Sequence, residues 1–379
     1  MSGALWALFV LSVALPVYVY IGYPVAAIVL ARLRPARSVR PDGPWPSVTV
    51  AIAAHNEERD IARVVKSALE QAYPGPPIEV LVGLDGCTDR TREVLASLGL
   101  PRISWLDLPR SGKAATDNRL VEGATGDIVV TTAAGAVYDP DALRRLCEPF
   151  RDPVVGCTTG RFAPRQDGSA AAAGEGLYWR LEYALMAAES TLGILACASG
   201  TSMAHRRSIF RPIPLDSDGD VSIAPNAVER GHRTVFVPRA VVRDDGPGDL
   251  GAVLRNRRRM ALRALPTTVT FVRRLARAGR GGPAFGLLSH KLLRWLVPFC
   301  LPAWLLAAAG LVMIGDEVAV LVTAGLLIAA GLVAVATLAG GADLRGTVWG
   351  FALAQLAFAL ATVDAVRGRR ARMWSRDSG

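Results

Sequence analysis

Three kinds of hydrophobic pattern divide the chain. Residues 1–31 carry no charged side chain, and the apolar run from Trp6 to Leu30 exceeds the ~20 helical residues that a bilayer core requires. A middle section follows, rich in Gly, Pro and charge. In it, short β-branched runs alternate with helical periodicity. Residues 46–53, ending in VTVAIAA's first six residues, predict a buried strand, and 60–71 a helix. Pro77 to Leu84 predicts a second strand, with a helix starting near Arg90. Ser104–Leu108 and Ile128–Thr132 predict a third and a fourth. Beyond residue 290 long apolar runs return: Leu292–Ile314, then Val318–Ala339 after a Gly-Asp-Glu break, then Thr347–Val366. The expected division is a transmembrane anchor over 1–32, a soluble domain over 33–290, and a transmembrane region of about three spans over 291–379. Strand–helix alternation at this pitch predicts an α/β fold, with a mostly parallel sheet and helices on both faces.

Composition sharpens the picture. The chain has 379 residues and is 51% hydrophobic, too apolar for an ordinary soluble protein. A cleaved signal peptide predicts a charged start, a shorter apolar run and a small-residue cleavage site. None is evident, so a retained anchor is expected. The net charge of +10 comes almost wholly from Arg. Membrane topology explains it better than nucleic acid does, because positive residues gather on the cytoplasmic side. Arg32, Arg34, Arg37 and Arg40 follow the first span, and Lys291 and Arg294 open the next. The soluble domain is therefore expected in the cytoplasm, on a multi-pass protein of the cell (inner) membrane. Arg367, Arg369, Arg370 and Arg372 conflict with a count of one span before the domain and three after. Either one stretch is re-entrant or the charge rule fails at the tail. The five Cys, at 87, 147, 157, 197 and 300, have no zinc or disulfide spacing.

Open parallel sheets bind ligands at the carboxyl ends of their strands. His55, Glu57 and Asp85 fall there together. The blocks VTVAIAAHNEERDIARVVKSALEQAYP and EVLVGLDGCTDRT resemble the opening of membrane-bound family 2 glycosyltransferases of the GT-A fold, such as bacterial exopolysaccharide, cellulose and hyaluronan synthases. The resemblance implies transfer of a sugar, with inversion, from a nucleotide-sugar, UDP-linked in the expected case, to a lipid-linked or polysaccharide acceptor. It implies that Asp85 accepts from the N3–H of a uracil-like base, with Ala53, His55 and Glu57 lining the nucleotide pocket. The block Arg110-Ser111-Gly112-Lys113 resembles the family's phosphate-side loop, so that Lys113 would face the pyrophosphate. Its bland alternative is a solvated surface Lys.

The family then carries an Asp-x-Asp motif whose carboxylates hold a divalent metal, Mg or Mn. Here those positions are Ala133 and Gly135, which cannot ligate a hard cation. Asp139 is the nearest carboxylate, with a turn or cap role as the alternative. Residues 174–210 resemble the acceptor-side section, which implies acceptor contacts by Tyr178, Trp179, Gly200 and Ser202. A core or interface role competes for the aromatic pair. The stretch 215–221 aligns with the family's acidic motif, which makes Asp220 the expected general base and Asp218 a partial substitute for its neighbour. Arg259 sits where relatives carry an Arg that meets the leaving diphosphate. The Arg-rich stretch near 254–280 also suits an interfacial helix on anionic lipid. Expected partners are the donor, the lipid-linked or glycan acceptor and membrane lipid, and not nucleic acid. A competing reading is a catalytically degenerate homologue that binds nucleotide or serves as a partner subunit. A transporter fits poorly, because the apolar spans carry almost no ionisable residues.

Overall fold

The computed structural model describes residues 2–34, 40–164, 170–244, 250–339 and 342–369. The chain opens with α1 (Ser2–Val17) and α2 (Tyr23–Leu33), joined through a single π-helical turn into one apolar run of 32 residues. Then come β1 (Val48–Ala54), α3 (Ile61–Leu69), β2 (Glu79–Asp85), α4 (Thr91–Ser97), β3 (Ile103–Leu108), α5 (Lys113–Gly123) and β4 (Ile128–Ala133). All seven residues of β1 are buried, as a strand covered on both faces must be. In α3 the buried positions Ile61, Val64, Val65 and Ala68 follow the i, i+3, i+4, i+7 stripe of a core-facing helix. The four expected strands thus form, within a residue or two of the expected bounds. They pair in parallel in the order β3-β2-β1-β4. Their carboxyl ends share one sheet edge, with Ala53 beside Ala133 and Asp85 beside Leu108.

The second half adds β5 (Val137–Tyr138), α6 (Ala142–Cys147), β6 (Val155–Pro164), α7 (Ala170–Leu192), β7 (Met203–Arg206), α8 (Gly219–Glu229) and β8 (Arg233–Asp244). Strand β7 runs antiparallel between β4 and β6. It carries the loop before it, residues 193–202, to the edge where the four parallel strands end. The long helix α9 (Leu250–Arg277) then crosses α8 and leads to α10 (Gly281–His290), α11 (Cys300–Met313), α12 (Glu317–Ala339) and α13 (Ala342–Val366).

Among the described residues, three helical runs are long and apolar enough to cross a membrane: Ser2–Leu33, Glu317–Val335 and Val348–Val366. The expected span from Leu292 to Ile314 is not one straight helix. Two 3-10 turns, Leu292–Trp295 and Val297–Phe299, interrupt it. Pro298 lies in the second turn and has no N–H to continue a helical ladder. The flanking pieces Gly281–Trp295 and Val297–Met313 meet at 44°, as a broken span or a re-entrant pair. Helix α11 packs on α1 through Phe9 and Trp304, and Trp6 donates to Asp316 at 2.7 Å. Helix α13 lies against α9, where Ala261, Trp295 and Ala361 form a small core and Arg258 pairs with Asp364. Arg370 and Arg372 lie outside the described residues.

Candidate functional site

The turn after β1 and the loop after β2 are stitched together. His55 Nδ1 lies 2.7 Å from the Asp85 carbonyl. Asn56 adopts a left-handed φ of 56°, a region that Asn tolerates better than most residues, and its side-chain oxygen accepts from the Thr88 N–H at 2.8 Å. The Glu57 N–H donates to Thr91 at 2.8 Å, and the Glu58 carboxylate accepts from the Arg90 N–H at 3.1 Å. Glu57 is buried, at 5% exposure.

Asp85 is only 2% exposed. Its carboxylate accepts from the Ser111 N–H at 2.6 Å, from the Gly112 N–H at 3.1 Å, and from Arg110. Gly112 has φ 90°, a conformation that glycine adopts without the penalty a Cβ brings. Asp85 thereby fixes the loop that delivers Lys113 to the start of α5. Lys113 donates to Asp117 at 2.8 and 3.1 Å. Asp117 is buried at the foot of that pair, and burial raises its carboxyl, while Lys113 lowers it and the charge of Asp218 raises it again.

At the end of β4 the donor set does not suit a resident divalent metal. Ala133 and Ala136 close a turn by a 3.1 Å hydrogen bond, and neither Ala133 nor Gly135 has a ligating atom. Asp139, the weak candidate, takes the turn role instead: its carboxylate is paired with Arg243 at 2.7 and 3.2 Å. Its carbonyl accepts from the Ala142 N–H at the head of α6.

Opposite this edge lies the acidic stretch before α8. Asp218 pairs with Arg263 at 2.9 Å. The Arg263 guanidinium, 4% exposed, also donates to the Ser217 carbonyl, and Thr267 donates to the Ser217 hydroxyl at 2.9 Å. Asp220 occupies the first turn of α8 with a partly exposed edge. Burial pushes its carboxyl up to about 6, the charge of Asp218 adds to this, and Lys291 and Lys113 oppose it. A Cβ added at Gly200 would lie 3.5 Å from that of Asp220, so the 193–202 loop abuts the carboxylate. Arg259 is half-buried, donates to Asn256 at 2.8 Å, and is near enough for Asp218 and Asp220 to act on its charge. Gly200 thus lies against Asp220, and the charges of Lys113 and Arg259, expected from other parts of the chain, are within electrostatic reach of that carboxylate.

Two expected acceptor residues sit elsewhere. Ser202 is corrected: it is fully buried, and a Cβ at Gly160 would overlap its hydroxyl, so it seats one strand on another and faces no open space. Trp179 takes the packed role that competed with an acceptor contact. It stacks on Tyr183 at 5.3 Å and touches Phe162 at 6.0 Å, and Tyr183 stacks on Phe236 at 5.6 Å. That column ties α7 to β6 and β8. The side chain of Tyr178 lies outside the described residues.

Sequence reasoning missed Asp117, whose one signal is its i+4 spacing from Lys113. It missed Arg263, one helical turn beyond Arg259. It also missed a buried polar cluster behind the site. There His290 contacts Glu189 and Glu182, each at 2.9 Å, Tyr23 donates to Glu189 at 2.6 Å, and Lys291 and Arg294 donate to Glu182 at 2.6 and 2.8 Å. The cluster joins α2, α7 and α10, and brings Lys291 near Asp220.

A parallel four-strand unit, continued by an antiparallel strand with an acidic loop beside its carboxyl edge, defines a GT-A glycosyltransferase fold. The chain belongs to the glycosyltransferase-like family 2, whose model matches residues 46–262. The mannosyltransferase PcManGT of Pyrobaculum calidifontis, solved with GDP-Man and Mn2+, superposes with a TM-score of 0.69 over 95% of this chain and 99% of that one. It is 24% identical, a likeness of fold. An N-acetylglucosaminyltransferase of Mesorhizobium japonicum is 29% identical over 237 residues, 58% of this chain and 56% of that protein. A β-monoglucosyldiacylglycerol synthase of Synechocystis is 33% identical over 126 residues, 32% of this chain and 26% of that protein. The chain thus spans about half the length, or less, of these curated relatives.

Proposed function

We propose that this chain is a membrane-held, inverting glycosyltransferase. The nucleotide-sugar lies at the carboxyl ends of β1, β2 and β4, and the acceptor hydroxyl arrives beside Asp220. The observation that carries this reading is the Asp220 carboxyl, raised to about 6 beside Gly200 and facing Lys113 and Arg259. A general base works best with a pKa near the operating pH. In one displacement the acceptor oxygen gives its proton to Asp220 and bonds to the anomeric carbon. The bond from that carbon to the diphosphate breaks on the opposite face. The charge that develops on the leaving diphosphate meets the cations Lys113 and Arg259. No step is routed through a metal, because the β4 end supplies no ligand for one.

The relatives named N-acetylglucosaminyltransferase make UDP-N-acetylglucosamine the first donor to test. The likeness to a diacylglycerol glycolipid synthase supports an acceptor at the lipid surface. The apolar runs at both ends of the chain support a multi-pass protein of the inner membrane, with residues 33–290 in the cytoplasm and α9 along the interface. The test is transfer from UDP-N-acetylglucosamine, UDP-glucose and GDP-mannose to membrane lipid extract by the purified protein. Asp220→Asn is expected to lower turnover about 10²-fold or more while leaving donor affinity nearly unchanged. Equal turnover in that variant would remove Asp220 from the base role. Ala133 and Gly135 favour a second reading, a nucleotide-binding partner subunit, which predicts donor binding without transfer by any of the three.

A further inference from the structure

Asp117 is a costly residue to have where it is. The residue is 2% exposed, and among the described residues the hydrogen-bond partner of its carboxylate is Lys113 alone, at 2.8 and 3.1 Å. The apolar side chains of Ala114, Met203, Ile213 and Ile223 form a core cluster beside this part of α5. The charged groups that act on it are Lys113 from its own helix and Asp218 from the loop before α8, the latter repulsive. A buried charge without a partner is far less stable than a buried neutral acid. Lys113, for its part, opens α5 directly after the loop that Asp85 holds, and its side chain remains 26% exposed. One ammonium therefore serves two anions, the carboxylate present in the empty protein and the diphosphate that arrives.

We infer that Asp117 is a positioning residue that holds the Lys113 ammonium ready in the empty site and takes a proton from solvent when that ammonium moves to the donor diphosphate. The inference rests on the donor site proposed above. Donor binding removes the one interaction that favours the charged carboxylate, while burial and Asp218 continue to favour the acid. The bound state then holds one more proton across the interval between the free and bound titrations. Below that interval both states are protonated and there is no linkage. Within it, affinity for the diphosphate weakens as pH rises, by at most about tenfold per pH unit for one linked proton.

The experiment is titration calorimetry of the full-length protein with UDP, GDP and inorganic pyrophosphate, in two buffers of different ionisation heat. The wild type is expected to take up about 0.5–1 proton per diphosphate bound in excess of Asp117→Asn. Lys113→Met is expected to lose the same excess, because its Asp117 is already neutral before the ligand arrives. It also decides the matter if Asp117→Asn fails to fold. A merely structural Asp117 would change stability and leave the proton count untouched. Binding with equal proton counts in wild type and variants overturns this inference and leaves the donor site standing. No binding of any of the three probes overturns the donor site and the inference with it.

Discussion

On the donor side, three loops are joined by residues 25 to 34 positions apart: Glu57 to Thr91, Asp85 to Ser111, Asp85 to Arg110. Much of the negative charge there is met by backbone N–H groups, which are fixed in direction once the strands form. On the acid side, Asp218 is met by Arg263, 45 positions away on another helix, and Asp220 is influenced by Lys113 and Lys291 from two further elements. Long flexible side chains replace fixed dipoles. The donor side is thus a product of strand–loop–helix topology, whereas the acid side depends on how α9 and α10 dock. Its charges are the ones that substitution and pH will move.

The largest effect that separates the two sides is expected from Arg263→Met. The substitution keeps much of the volume but leaves Asp218 unpaired and frees the carbonyl of Ser217. Breaking a buried pair by removing one partner costs about 3 kcal/mol or more. Thermal unfolding in detergent measures it. An unchanged midpoint would mean that the acid loop stands without α9 and that the contrast is wrong.

Next in size is Asp85→Ala. If Asp85 serves mainly to hold the Arg110–Gly112 loop, every diphosphate weakens by a similar factor, about 1.5–3 kcal/mol for a lost charge-assisted hydrogen bond. If Asp85 instead meets the base, UDP weakens while inorganic pyrophosphate does not. Comparing the two ligands by calorimetry separates local scaffolding from base recognition. The burial of the carboxylate and its three donors from one loop support the first outcome.

The same contrast explains what the sequence made legible. The strands ending at Ala54, Asp85, Leu108 and Ala133 were visible because short, largely apolar runs, β-branched in β1 and β4, alternate with helical stripes and admit few topologies. That order put His55, Glu57 and Asp85 at neighbouring strand ends, and the residue blocks around them carried the resemblance. Asp220 and Arg259 were placed by alignment of a motif, but their pairing partners were not. Nothing in the spacing of Arg263 or Asp117 marks either residue as buried. The run from Leu292 looked like one span because hydropathy counts side chains, whereas the break at Val297–Phe299 concerns the backbone. Ser202 and Trp179 fell in the right segment yet face the packed interior, a choice made by the pairing of β6 with β7 and by the aromatic column.

A smaller effect probes the acid side by pH. The Asp220 carboxyl, near 6, is mostly protonated at about pH 5 and mostly ionised at about pH 7. A base must be ionised to accept a proton, so kcat/KM is expected to rise with pH through about 6. Asp218 raises this carboxyl and Lys291 lowers it. Asp218→Asn should therefore shift the acid limb to lower pH, and Lys291→Met should shift it to higher pH. Profiles that move together, or not at all, would show that another group sets the limb.

The smallest expected response is to divalent metal. Breaking the sugar–diphosphate bond adds negative charge to the leaving group, and something positive must meet it. A hard cation needs several oxygen ligands, yet Ala133 and Gly135 supply none and Asp139 is held by Arg243. The cations at hand are Lys113, partly exposed and paired with Asp117, and Arg259, within electrostatic reach of Asp218 and Asp220. A magnesium ion carried in by the diphosphate would find little from the protein to grip. Transfer by the wild type is accordingly expected to change less than about twofold between chelator and millimolar magnesium or manganese, since the β4 end offers no free carboxylate to hold the ion. The double variant Ala133→Asp/Gly135→Asp restores two carboxylates at the end of β4, and with them a saturable metal response. A strong saturable requirement in the wild type would show that the ligands lie elsewhere. It would also remove the reason for assigning the charge of the leaving group to Lys113 and Arg259.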